Sequence, residues 1–217
     1  MVTHTNRLGD FVTRSFAAAM GLPRLILASG SPRRRELLAR LGLDFSVIVA
    51  DVDETVAPEE RPRDYVERLS LAKARAVARA NPNLPVLGSD TSVIVDGHIL
   101  GKPRDESEAK SMLQVLSGRN HTVLTAFSLV RESPHFSATE CSATTVTFRT
   151  LESDEIDAYV ATGAPMDKAG GYGIQDDIGS LFVERIEGDF FTVVGLPVAR
   201  VYSLLRTVSH SDGDRKT

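Results

Sequence analysis

Residues 25–41 read LILASGSPRRRELLARL, and the rest of the chain is placed outward from this stretch. Residues 25–28 form a short run too apolar to alternate, which reads as a buried first strand. Ser31 suits the N-cap position, and Pro32 the first helical turn, where its missing N–H costs nothing. A helix then runs to about Leu41 and stops at Gly42, the usual place for a C-terminal glycine. Leu37, Leu38 and Leu41 make its apolar stripe, and counting back three and four residues places Arg34 inward and Arg35 outward. Strand, glycine turn and helix N-terminus together have the general architecture of an anion site. Three arginines nevertheless oppose the helix dipole, which puts roughly half a positive charge at that end. A bound polyphosphate would compensate them; a solvated basic helix end is the alternative reading.

Composition bounds what such a site can serve. The chain has 217 residues, 42% hydrophobic and 25% charged, so it can bury a full core in one or two domains. Its net charge of -4 argues against stable nucleic-acid binding and against a membrane-surface protein, which makes the arginine triplet a local feature. One cysteine, Cys141, excludes an internal disulfide and a multi-cysteine metal site, and fits a reducing cytoplasm. No apolar run approaches the roughly 18 residues that span a bilayer. Residues 1–22 carry Arg7, Arg14 and the single acid Asp10 ahead of an apolar patch, weakly like a transit peptide but without a secretory core. They are expected to be a flexible or loosely docked extension, and the polar residues 208–217 a disordered tail.

Along the chain, residues 45–49 read as a second strand, followed by Asp51, Asp53 and Glu54. Three acids in four residues either help hold a divalent cation or form a solvated loop. Pro62 opens a helix to about Ala80 whose buried side is expected to include Tyr65, Leu69, Ala72 and Ala76. Lys73 lies on or beside that face, and spacing does not decide whether it snorkels outward or reaches into a site. An apolar run at 85–89 leads to Asp90 and Thr91, with another strand expected at 92–95. A carboxylate held there is expensive to bury unless paired or metal-bound, which makes Asp90 the leading acid for catalysis. Asp96-Gly97 is a hairpin turn that returns Lys102 alongside, either near Asp90 or as an ordinary turn lysine. Asp105 and Glu108 cap a helix with Ala109, Met112, Leu113 and Leu116 on its core face. Strands are expected at 121–130 and 136–148, a helix at 153–162, a hairpin of 181–186 with 190–194, and a last helix at 197–206. Between them GAPMDKAGGYGIQ, residues 163–175, is dense enough in glycine for backbone to approach a ligand.

The blocks ASGSPRRRELL, GSDTSVIVDG, GKPRD, LSGRNHTVLTA, TFRTL and DKAGGYGIQ resemble, in order, the signatures of the Maf family of nucleotide pyrophosphatases. The resemblance implies an α/β fold: an elongated central mixed β-sheet flanked by helices, in two lobes with a cleft between them, here over residues 23–207. It is similar in fold to the inosine-triphosphate pyrophosphatases. It implies hydrolysis of nucleoside triphosphates to monophosphate and pyrophosphate for nucleotide-pool sanitation, a divalent metal cation (Mg²⁺ or Mn²⁺), and a homodimer. By resemblance Asp90 is the proton acceptor, Ser29, Arg33 and Arg34 bind phosphate, and Lys73 and Lys102 line the cleft. Glu54 and Asp90 would hold the metal. Arg33, Thr91 and Gln175 occupy the positions that separate subfamilies, and their combination resembles the branch acting on dTTP and UTP rather than 7-methyl-GTP. Modified pyrimidine nucleotides remain open as substrates, and so does a nucleotide-binding regulator of cell division in which turnover is incidental. Charge reversal at Arg34 is expected to weaken substrate binding far more than folding.

Overall fold

The computed structural model describes residues 16–176 and 178–213, with side chains to residue 209. Seven strands form one mixed sheet: β1 (Leu25–Leu27), β2 (Phe45–Val47), β3 (Val86–Val95), β4 (His98–Leu100), β5 (Asn120–Arg131), β6 (Phe136–Phe148) and β7 (Val183–Glu187). Their order is β2-β1-β3-β5-β6-β7, with β4 beside β3. The helices are α1 (Pro32–Arg40), α2 (Pro62–Ala78), α3 (Glu106–Leu116), α4 (Ser153–Ala161), α5 (Phe190–Val194) and α6 (Val198–Gly213). β1 runs parallel to β2 and β3, and the other pairs are antiparallel. That division follows the connections: α1 and α2 lie between the parallel strands, whereas short turns join β3 to β4 and β5 to β6.

One feature of β3 positions the site. Its start, Val86 and Leu87, pairs with β1, and its end, Val93 to Val95, pairs with β4. Along the opposite edge it pairs continuously with β5. Between Leu87 and Val93 no described strand covers the first edge, and Asp90 and Thr91 fall in that gap. The expected pair of strands at 85–89 and 92–95 is thus a single strand of 10 residues. It continues through Asp90 because β5 supplies an unbroken ladder along its other edge. Asp96 and Gly97 adopt the positive φ values, 51° and 79°, of a two-residue hairpin turn.

α2 lies against the β3–β5 face. A Cβ on Gly88 would stand 2.2 Å from the Ser70 carbonyl oxygen and 2.7 Å from the Ala74 nitrogen, so only glycine allows this approach. Ala74, Val77 and Ala78 pack there on Ile26, Val86 and Val130, while Tyr65, Val66 and Leu69 cover Leu124, Ala126 and Cys141. Ala76, expected on the buried side, is exposed; the buried stripe runs through Leu69, Lys73 and Val77 instead. The larger core holds Leu27, Leu38, Leu87, Leu113, Phe127, Phe148 and Tyr159.

Two local readings change. Residues 190–194, Phe-Phe-Thr-Val-Val, have strand-like composition but form the one-turn helix α5. Asp189 caps it by accepting from the Thr192 N–H at 2.8 Å, and Gly195 ends it at φ 117°. The last helix continues past residue 206 to Gly213, because Val208 still has a place in the core. At the other end residues 16–19 are helical and docked: Ala17 is buried, the Phe16 ring lies 6.0 Å from that of Tyr202, and Arg206 Nη1 reaches Met20 Sδ at 3.1 Å. Residues 1–15 and 214–217, the remainder of the expected extension and tail, lie outside the described residues. No helix among the described residues is long and apolar enough to cross a membrane.

Candidate active site

At the uncovered edge of β3 opens a cavity of about 700 Å³. All nine residues singled out from the sequence line it: Ser29, Arg33, Arg34, Glu54, Lys73, Asp90, Thr91, Lys102 and Gln175. They come from the β1–α1 turn, the loop after β2, α2, β3, the segment after β4 and the glycine-rich loop.

On the acidic side, Lys73 reaches inward rather than snorkelling. Its Nζ donates to Asp90 Oδ1 at 2.7 Å and lies 2.7 Å from Glu54 Oε1. Lys73 and Asp90 are both buried, at 9% and 8% exposure, so each supplies the partner that burial of the other requires. Burial raises the Asp90 pKa above the ordinary carboxylate value, against the opposing pull of Lys73 and Arg34. Tyr65 Oη donates to the Glu54 carbonyl at 2.9 Å and pins the acidic loop. Burial first, and then the Asp90 and Glu54 charges, push its own pKa up to about 12, so it stays a proton donor. Of the three clustered acids only Glu54 faces the cavity; Asp53 instead accepts from the Thr55 N–H. Among the described residues no group of three or more His, Cys, Asp or Glu side chains is arranged to hold a metal. Glu54 and Asp90 each meet Lys73 through one carboxylate oxygen, Oε1 and Oδ1, and the second oxygen of each is the type of donor that hard ions such as Mg²⁺ or Mn²⁺ take.

Arg34 is the junction of the site. As its place on the apolar stripe predicts, it is buried, while Arg35 is exposed. Nε donates to the Gly195 carbonyl at 2.9 Å, Nη1 to Ser29 Oγ at 3.0 Å and Nη2 to Thr91 Oγ1 at 2.9 Å. Two of its five N–H groups are left for a ligand. Burial lowers its pKa, an effect that the Asp90 charge opposes. Ser29 Oγ also accepts from the Ser31 N–H at 3.3 Å, which occupies both its lone pairs and leaves its hydrogen to donate. A hydroxyl of that polarity suits a phosphate oxygen.

Arg33 crosses to the glycine-rich loop, donating through Nη1 to Asp167 Oδ2 at 2.8 Å and through Nη2 to the Asp167 carbonyl at 3.1 Å. Lys168, buried beside it, donates to the Ala164 carbonyl at 2.5 Å and to Asp167 Oδ1 at 2.8 Å, and pairs with Asp176 Oδ2 at 3.1 Å. Asp176 in turn accepts from Gln175 Nε2 at 2.9 Å. Asp167 and Lys168 thus brace the loop that carries Gln175, a task not read from the sequence although both stand in its DKAGGYG block. Gly195, also missed, gave no signal because its importance lies in a backbone carbonyl. Lys102 lines the cavity, is exposed, and pairs with no charged group among the described residues.

The family model described as Maf-like protein matches residues 24–208. A dTTP/UTP pyrophosphatase of Bacillus thuringiensis subsp. konkukian is 49% identical over 183 residues, which is 84% of this chain and 94% of that protein. One from Moorella thermoacetica is 52% identical over 184 residues, 85% of this chain and 94% of its own length. A third, from Bacillus cytotoxicus, is 49% identical over 185 residues, covering 85% and 95%.

Proposed function

Since the chain belongs to the Maf-like protein family, we propose that it hydrolyses dTTP and UTP to the nucleoside monophosphate and pyrophosphate, and so serves nucleotide-pool sanitation. The observation that carries this reading is one cavity lined both by the cations Arg33, Arg34 and Lys102 and by Asp90, a carboxylate whose pKa burial raises. The names of the relatives supply the pyrimidine preference.

In this reading water attacks the α-phosphorus. A bond forms between the water oxygen and that phosphorus, the bond to the α,β-bridging oxygen breaks, and pyrophosphate leaves with the electron pair. Asp90 takes the proton from the water, and a raised carboxylate pKa brings a base nearer its working pH. Lys73 holds the Asp90 carboxylate through one oxygen, Oδ1. Arg33, Arg34 and Lys102 face the triphosphate, where preformed donors offset charge developing on phosphoryl oxygens without reorganisation. Ser29 adds a hydroxyl of matching polarity. Glu54 and Asp90 would hold Mg²⁺ or Mn²⁺, which when bound neutralises phosphate charge and orients the water. The proposal includes a cytoplasmic location, supported by the single buried thiol Cys141, and a homodimer, which rests on family resemblance alone.

The test is a panel of canonical and modified triphosphates incubated with Mg²⁺ or Mn²⁺, followed by pyrophosphate release. Release is expected to be fastest from dTTP and UTP, and Asp90→Asn should lower kcat by roughly 10²-fold or more. No release from any member would favour a nucleotide-binding regulator, and near-normal turnover in the Asn variant would remove Asp90 as the base.

A further inference from the structure

Behind the cavity wall lies a chain of hydroxyl groups whose direction can be deduced. Thr91 on β3 and Thr125 on β5 are cross-strand partners, with their Oγ1 atoms 2.9 Å apart. Thr125 is fully buried and donates to the Thr192 carbonyl at 2.7 Å. That carbonyl is available because α5 is a single turn: the N–H groups of Gly195 and Leu196 both turn back to Phe191. A carbonyl only accepts and a threonine has one hydrogen, so the Thr125 hydrogen is committed to Thr192. In the Thr91–Thr125 bond Thr91 must therefore be the donor. Thr91 Oγ1 also accepts from Arg34 Nη2, and a guanidinium can do nothing but donate. Thr91, which lines the cavity, is left with one lone pair and no hydrogen for a ligand.

The two hydroxyls joined to Arg34 thus have opposite polarity. Ser29 can only donate and Thr91 can only accept. A phosphate oxygen would set acceptor against acceptor at Thr91, so the group that meets it must carry a hydrogen. The imide N3–H of thymine and uracil does. Cytosine N3 is a bare acceptor and does not; the hydrogens of cytosine sit on N4, where uracil and thymine carry a carbonyl, so it would have to shift in the site to offer one.

We propose that Thr125 is a positioning residue for base selection: by holding the Thr91 hydrogen it makes Thr91 an obligate acceptor, which favours an N3–H pyrimidine over cytosine. This rests on the dTTP/UTP reading above. A leucine or valine behind Thr91 would free the Thr91 hydrogen to turn toward the cavity and donate to either a phosphate or cytosine N3.

The experiment compares kcat/KM for UTP and CTP in the wild-type protein, Thr125→Val and Thr125→Ser, scoring CTP as a competitive inhibitor where its turnover is too slow to follow. The sugar and triphosphate are common to both nucleotides, so their ratio reads the base alone. Thr125→Val is expected to shrink the preference for UTP by about tenfold, since a site built for one hydrogen-bond polarity rejects the other strongly. Thr125→Ser, which restores the hydroxyl, should retain it. A second measurement needs no variant to fold: wild-type protein should use N3-methyl-UTP, with a methyl group in place of the N3 hydrogen, at least about tenfold less efficiently than UTP. An unchanged UTP/CTP ratio in folded Thr125→Val, or equal use of UTP and N3-methyl-UTP, overturns the inference while pyrophosphate release from UTP keeps the proposed function standing. Absence of release from UTP with wild-type protein overturns both.

Discussion

Arg34 carries two duties in one side chain, and only one of them could be read from the sequence. The 3.6-residue period of α1 places it inward, because Leu37 and Leu38 share its face. Its bond to the Gly195 carbonyl spans 161 residues and ends on a main-chain atom, so neither spacing nor residue type announces it. That bond alters an expectation. Reversing the charge at Arg34 would point a buried carboxylate at a carbonyl oxygen and leave Ser29 and Thr91 without their donor, so folding would suffer along with substrate binding. His121 is likewise held by contacts that its sequence position does not announce. It lies in the block SGRNHTV, where its ring packs edge-on to Phe148 and Tyr172, Nε2 bonds the Tyr172 hydroxyl at 2.7 Å, and Nδ1 is buried with no partner. Burial lowers its pKa from 6.5 to about 4. The unfolded chain therefore binds a proton first as pH falls. Stability should be intact above pH 6.5 and decline between 6.5 and about 4, by at most about 3 kcal/mol. Melting curves at pH 7 and pH 4.5 check this: His121→Gln should lose less stability between the two than wild type. Equal losses would assign the acid sensitivity to other groups.

Among the elements, those with strong periodicity or caps were legible and those decided by tertiary contacts were not. α1, α3 and the β3–β4 hairpin fall where Pro32, Asp105 and Asp96-Gly97 place them. α5 did not, because its five residues are β-prone and its helical form depends on Asp189 and Gly195. The continuity of β3 was hidden by its polar centre, which exists to serve the cavity. α2 links packing to chemistry. It lies on Gly88 without room for a Cβ, and it carries Lys73 to Asp90. Gly88→Ala should push the helix away, lowering stability by about 1–3 kcal/mol, as overpacking typically does. kcat should fall with it as Lys73 retreats. Thermal melting and turnover measured on the same preparation check the link; loss of stability at undiminished kcat would show that Lys73 is not needed at Asp90.

For the whole molecule, the sheet explains why residues as distant as Ser29 and Gln175 meet. β1 and β4 each cover one end of β3 and leave its middle open, and the loops that converge on that opening bring the cationic groups to the carboxylates. The sequence held the parts of this arrangement as short blocks, and the family resemblance held their order. The gap itself is a property of strand register, which no single block encodes. The central claim, that this opening cleaves a pyrimidine triphosphate between the α- and β-phosphates, is tested most directly by product analysis in ¹⁸O-labelled water. With dTTP and Mg²⁺, phosphorus NMR should show dTMP and pyrophosphate in equal amounts, with the label in dTMP. Formation of dTDP with inorganic phosphate, or label in the pyrophosphate, would contradict it.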